Sequence, residues 1–194
     1  KAQLDAFQKQ ALDKVVTDAY VKQLAQKYKI TVSNKEVDDQ ITIVRAQNRL
    51  GSSDQVFEDV LRDYWGWSVD DFKRSLRAQL LAQKVVATLD TETKQRANNA
   101  LDELNKGVDF AATAKKYSDD ASTKNNGGDF GTVDRTNRDL TAQTTDTLFS
   151  LKPTGYSGII NIGYSLEIIK NIEQTTPSKA HGAHILFNLK DVAV

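Results

Sequence analysis

Cysteine is absent from this 194-residue chain. That excludes disulfides, thiolate metal sites and cysteine nucleophiles. Histidine occurs only at positions 181 and 184. Two neighbouring rings argue against a histidine-rich metal site and against a Ser-His-Asp triad. Neither charge sign is in excess: Lys+Arg and Asp+Glu number 26 each, for a formal net charge of +0. Nothing in that balance would hold a phosphate backbone, so general nucleic-acid binding is not expected. No apolar run reaches the roughly 18 residues a spanning helix needs. What is present is 39% hydrophobic and 27% charged residues. That describes a globular chain of one or two domains, long enough to bury a real core. Chains without cysteine are common among exported bacterial proteins, where stray thiols could cross-link during folding. The chain also starts at Lys1 rather than Met. It reads as a mature or trimmed piece, with any signal peptide, lipid-anchor cysteine or membrane anchor upstream.

Proline is missing from the first half, and glycine is scarce there. From Lys1 to Lys29 the residues Leu4, Phe7, Ala11, Val15, Ala19, Leu24 and Tyr28 recur near the helical period, with Leu12 and Val16 widening the stripe. This predicts one long amphipathic helix packed along a bundle. Ser33 to Glu36 spells a capping box before Val37, Ile41, Val44 and Leu50, with Gly51 as the stop. Ser52 to Gln55 reads as a second box, before Val56, Phe57, Val60 and Leu61. Ser68 with Asp71 is a weaker box, before Phe72, Leu76, Leu80 and Val85. Tyr64-Trp65-Gly66-Trp67 falls in the turn between two of these helices. Its rings either plug the core of the bundle or form an apolar surface for unfolded polypeptide.

Beyond Thr91 the texture is mixed. Asp90 is placed to cap a helix carrying Ala97, Ala100, Leu101 and Leu104 up to Gly107, and Asp109 to cap a short helix from Phe110 to Tyr117. A polar, glycine-rich loop follows, from Ser118 to Gly131. Its Gly127-Gly128-Asp129-Phe130-Gly131 cluster lacks the Lys-Ser/Thr of a phosphate loop and reads as backbone needing positive φ. A short helix is expected within Leu140 to Leu151, stopped by Lys152-Pro153-Thr154-Gly155. Strands are expected at Tyr156 to Ile162, at Leu166 to Ile172 and at His184 to Phe187.

Three stretches of this half resemble the parvulin family of peptidyl-prolyl isomerases. They are Leu104 to Ser118 (LNKGVDFAATAKKYS), the loop Ser118 to Gly131, and Phe149 to Lys170 (FSLKPTGYSGIINIGYSLEIIK). The first half, from Leu12 to Val86, is similar to the helical chaperone segment of SurA- and PrsA-type exported foldases. That likeness runs loosely through Tyr28 to Asp38 and through Asp71 to Leu81, reading DFKRSLRAQLL. A parvulin begins with a strand reading HIL, and no such sequence lies between Val86 and Ala97. It stands instead at Ala183-His184-Ile185-Leu186-Phe187. Either a second module starts there, or the missing strand is supplied from the C-terminus by circular permutation. Permutation is favoured, because the first and last strands of that fold are antiparallel neighbours. The segment from Glu173 to Gly182 would then be the connection. Without the strand a central ladder would go unpaired.

The resemblance implies rotation about an X-Pro bond with no covalent step, no metal and no cofactor. Such a site needs an apolar pocket for the ring and a polar group set that favours the twisted amide, whose rotation faces a barrier of about 20 kcal/mol. The family's polar set is two histidines flanking a Cys or Asp, and its pocket is Leu, Met and Phe. By position, His184, Asp120 and Glu167 are the candidate catalytic residues, with Glu167 standing where the second histidine belongs. Phe130, Leu140 and Thr144 are the candidate substrate-binding residues. The aromatic wall has no counterpart here and falls near Ala142 or Thr144. All of these are expected around one shallow cleft, in which Glu167 raises the pKa of His184. Weak or absent turnover follows, improved by Glu167→His.

The expected fold class is therefore α+β: an N-terminal helical bundle over 1–89 and a parvulin-like domain over 90–194, its first strand supplied by 182–189. The expected function is that of an exported, extracytoplasmic foldase for unfolded or proline-containing polypeptides. The alternatives are an inactive parvulin-fold holdase and, more remotely, a scaffold whose second domain merely spaces partners.

Overall fold

A computed structural model describes residues 2–137 and 139–190, except for the side chains of residues 2–5 and 7. Leu4 and Phe7 of the expected stripe thus lie outside the described residues. The chain divides into two compact units, one ending at Val86 and one running from Ala87 to Lys190.

The first unit is helical, with α1 (Ala2–Tyr28), α2 (Asn34–Gln47), α3 (Asp54–Trp65) and most of α4 (Val69–Leu89). The capping box of α2 forms as its sequence predicts. Ser33 Oγ accepts from Glu36 N, and Glu36 Oε2 accepts from Ser33 N at 2.8 Å. Lys84 and these Ser33 bonds hold the Glu36 carboxyl down at about 2. Ser68 and Asp71 reciprocate in the same way before α4. The start of α3 is shifted by one residue from its expected place. Its cap is Ser53, and Val56 occupies the third helical position. The second oxygen of a box is therefore missing there.

Val37, Ile41, Phe57, Leu61 and Leu76 form the core of this unit, with Phe57 and Phe72 edge to face at 5.5 Å. Two expectations fail. The buried residues of α1 are Val21 and Ala25, neither of them in the expected stripe; of that stripe Leu24 is half-buried, whereas Leu12, Val15, Val16 and Tyr28 are exposed. The aromatic turn does not plug the core either: Tyr64 is 80%, Trp65 61% and Trp67 41% exposed. Gly66 ends α3 in the left-handed region at φ +66. That turns the rings outward while Trp67 N donates back to Leu61 O.

The second unit is α+β. Helices α5 (Thr91–Asn105) and α6 (Phe110–Tyr117) start on the expected caps, Asp90 and Asp109. After them come β1 (Asp129–Asp134), α7 (Ala142–Ser150), β2 (Ile160–Asn161), β3 (Ser165–Thr176) and β4 (Lys179–Asn188). The sheet is antiparallel in the order β1-β4-β3-β2. β1 carries no apolar alternation that would flag it. Tyr156 to Ile162 is mostly irregular, holding β3 through one bridge, β2 and the Ser157 bonds to Ile169.

β4 pairs with β3 over its full length, Ile169 opposite His184 and Leu166 opposite Phe187. The residues expected as a long connection, Glu173 to Gly182, are themselves largely strand, closed by a tight turn at Pro177-Ser178. On its other side β4 pairs with β1 as far as Ala183. Beyond that, Gly128 O accepts from His184 N, Asp119 N donates to Leu186 O, and Asp119 Oδ2 accepts from Asn188 N. Asp90 accepts from both Thr93 N and Lys190 N, tying the start of α5 to the end of β4. The strand's polar backbone is thus satisfied along both edges.

Alternation divides the sheet's residues between two faces. Ile169 and Ala180 pack with Leu148 and Phe149 of α7, and Phe130, Leu140 and Leu151 lean on that cluster. Lys170, one residue out of phase, lies over the Phe110 ring of α6. His184 faces α7 because it stands opposite Ile169, and Glu167 is its diagonal neighbour on the same face.

Candidate functional site

Three elements bring the predicted polar residues together. β4 supplies His184, β3 supplies Glu167, and the loop after α6 supplies Asp120. His184 Nδ1 lies 2.5 Å from Glu167 Oε1, and His184 Nε2 lies 2.8 Å from Asp120 Oδ2. With a carboxyl group on each side, both ring nitrogens are placed to donate, an arrangement that favours the imidazolium form. Burial pushes the His184 pKa down, but the bonds and charges of Glu167 and Asp120 outweigh it and leave the ring above its ordinary 6.5. Burial likewise pushes the Asp120 carboxyl up. Donors from Ser122, Thr123 and His184 overcome that and hold it far below the usual carboxylate range.

The supporting contacts are specific. Asp120 Oδ1 accepts from Ser122 N and Oγ, and Asp120 Oδ2 accepts from Thr123 Oγ1 at 2.6 Å. Thr123 Oγ1 also stands 3.1 Å from His184 Nε2. On the other side Thr144 Oγ1 donates to Glu167 Oε2 at 2.6 Å. Phe130 meets the imidazole edge to face at 5.4 Å. Its ring passes over Gly182, where a Cβ would lie 2.4 Å from Phe130 Cζ. Gly128, at φ +80, lets the loop touch the strand: a Cβ there would be 2.1 Å from the His184 carbonyl oxygen.

Burial sorts these residues by reach. Glu167 and Thr144 are each 1% exposed. Asp120 retains 20% side-chain exposure. Phe130 and Leu140, both partly buried, lie on one apolar cluster. The roles of Ser122, Thr123 and Thr144 in holding the carboxylates were not read from the sequence. Asp120-x-Ser122-Thr123 is nonetheless a recognisable side-chain turn signal. The second histidine is elsewhere: His181 pairs across β1 and β4 with both oxygens of Asp129, at 2.8 and 2.9 Å. Among the described residues no group of His, Cys, Asp and Glu is placed to hold a metal ion.

Residues 80–173 match the PPIC-type PPIase domain, and residues 1–86 match the SurA-like N-terminal domain. Each half of the chain is thus similar to one of these two domains. A foldase protein PrsA of Caldanaerobacter subterraneus subsp. tengcongensis is 29% identical over 187 residues, covering 87% of this chain and 58% of its own. A foldase protein PrsA of Pediococcus pentosaceus is 28% identical over 196 residues, covering 88% and 63%. The periplasmic chaperone PpiD of Escherichia coli is 37% identical over 92 residues, covering 47% of this chain and 14% of its own. This chain spans less than two thirds of the length of either PrsA relative. The match to the PPIC-type PPIase domain stops at residue 173, before β4 begins. No helix among the described residues is long and apolar enough to cross a membrane.

Proposed function

We propose that the chain works as an extracytoplasmic foldase. Its helical unit holds unfolded polypeptide, and its PPIC-type unit turns X-Pro bonds at the site of His184 and Asp120. The first domain is taken as 1–89. The second is taken as 90–194, a circularly permuted parvulin whose first strand comes from 182–189. The observation that carries the reading is the 2.8 Å contact between His184 Nε2 and Asp120. β4, which lies outside the family match, brings His184 to Asp120 with Phe130 against the ring, and this supports the reading. Rotation of an X-Pro amide costs its resonance, and uncatalysed turnover takes tens to hundreds of seconds. Phe130 and Leu140 supply apolar surface for the proline ring. Asp120, the exposed member of the triad, faces the amide with a fixed negative charge. A carboxylate beside the carbonyl oxygen disfavours the planar form, in which that oxygen carries partial charge, more than the twisted one.

One observation favours a second reading, a holdase without turnover. Both His184 nitrogens are already committed to carboxylates, so the ring has no free lone pair to offer. Protease-coupled turnover of a proline tetrapeptide separates the two. Isomerisation above the uncatalysed rate supports the foldase. Suppressed client aggregation with turnover at background supports the holdase. The PrsA and PpiD relatives support a location outside the cytoplasm.

A further inference from the structure

We propose that Thr144 is a positioning residue for this site, acting through Glu167 on the protonation of His184. The inference rests on the isomerase reading of the His184 site. Two of the positions at which the chain departs from the parvulin pattern are in contact. The missing aromatic wall falls near Ala142 or Thr144, and Glu167 stands at the place of the second histidine. Yet Thr144 Oγ1 donates to Glu167 Oε2 at 2.6 Å. The hydroxyl is itself fixed at the start of α7, where Thr141 Oγ1 lies 2.8 Å away and accepts from Thr144 N. A continuous line of donors and acceptors therefore runs from Thr141 through Thr144, Glu167 and His184 to Asp120.

Each carboxylate oxygen of Glu167 has one partner, His184 on Oε1 and Thr144 on Oε2. The whole side chain is buried. A phenyl ring at 144 would leave Oε2 without a donor in a dry site, which disfavours the ionised form. Thr144 thus gives the buried glutamate a donor for its second oxygen and fixes its first against His184 Nδ1. A carboxyl group held there favours the doubly protonated ring, with Nε2–H pointed at Asp120. Among the described residues, the charged groups bonded to His184 are Glu167 from β3 and Asp120 from the loop. From α7 the line contains only neutral hydroxyls.

The test follows the His184 ring protons by NMR through a pH titration of the full chain, with amide spectra reporting the fold. In Thr144→Val the midpoint should fall by about one pH unit, a tenfold change in the ring's protonation equilibrium. Thr144→Ser should restore it. In a Glu167→Gln background Thr144→Val should shift nothing further, which excludes a general loosening of the fold. Should Thr144→Val fail to fold, Thr144→Ala in the same pair of backgrounds gives the same readout. An unchanged midpoint in a folded donor-less variant overturns the proposal. So does an equal shift in the Glu167→Gln background. The readout needs no turnover. A wild type that titrates as described yet fails to isomerise would therefore count against the isomerase reading and leave the role of Thr144 standing.

Discussion

At position 167 a single carboxyl group stands against the His184 ring. Glu167 is buried, and its partner His184 has a raised pKa. A histidine raised on folding adds stability that is fully present below its unfolded pKa near 6.5. That stability is lost as pH rises through the folded value. The depressed pKa of Asp120 acts in the opposite direction. Its contribution is complete above about 3.8 and fades as pH falls through the folded value. The triad is therefore strongest between those limits. Removing one partner of a buried pair costs about 3 kcal/mol. Glu167→Gln should show a loss of that order in urea unfolding at pH 6, and a smaller one at pH 9. An equal loss at both would mean that His184 is not an imidazolium in the folded chain.

Among the elements, β4 carries the most consequence, because it supplies the His184 ring between Glu167 and Asp120. Gly128 is the point where the loop meets this strand. Gly128→Ala would place a methyl against the His184 carbonyl in a left-handed conformation. It should cost at least about 2 kcal/mol in urea unfolding. Gly158→Ala, which meets nothing within 4 Å, should stay within about 0.5 kcal/mol of wild type. Equal effects would contradict the loop-to-strand contact. The elements were unevenly legible. Helix starts with a hydroxyl cap and an acid three residues on, at Ser33 and Ser68, could be read directly, since both partners are local. Ser52 and Ser53 offered two caps one residue apart, and the helix uses the second. β1 could not be read, because its pairing partner β4 lies far along the chain and its own pattern is polar and glycine-rich. Of the site, His184 and Asp120 stood out by motif. Thr144 was placed as a substrate-binding candidate, and its bond to Glu167 could not be read because the two lie in different elements.

Across the whole molecule, the helical unit leaves Tyr64, Trp65 and Trp67 on one exposed turn, and Leu12, Val15 and Val16 on α1. Exposed apolar surface of this kind is where contact with an unfolded client is proposed. Tyr64→Ser with Trp65→Ser and Trp67→Ser should lower the suppression of client aggregation several-fold. Little stability should be lost, because rings so exposed add little to the core; unchanged suppression would remove this turn from the client surface. The central claim is that a C-terminal strand completes an isomerase site in the second unit. Turnover of a proline tetrapeptide by the full chain, compared with His184→Ala, tests it most directly. The account predicts modest isomerisation above the uncatalysed rate for the wild type, falling to background in His184→Ala with the fold intact. A wild-type rate equal to background, or a rate undiminished without His184, would contradict it.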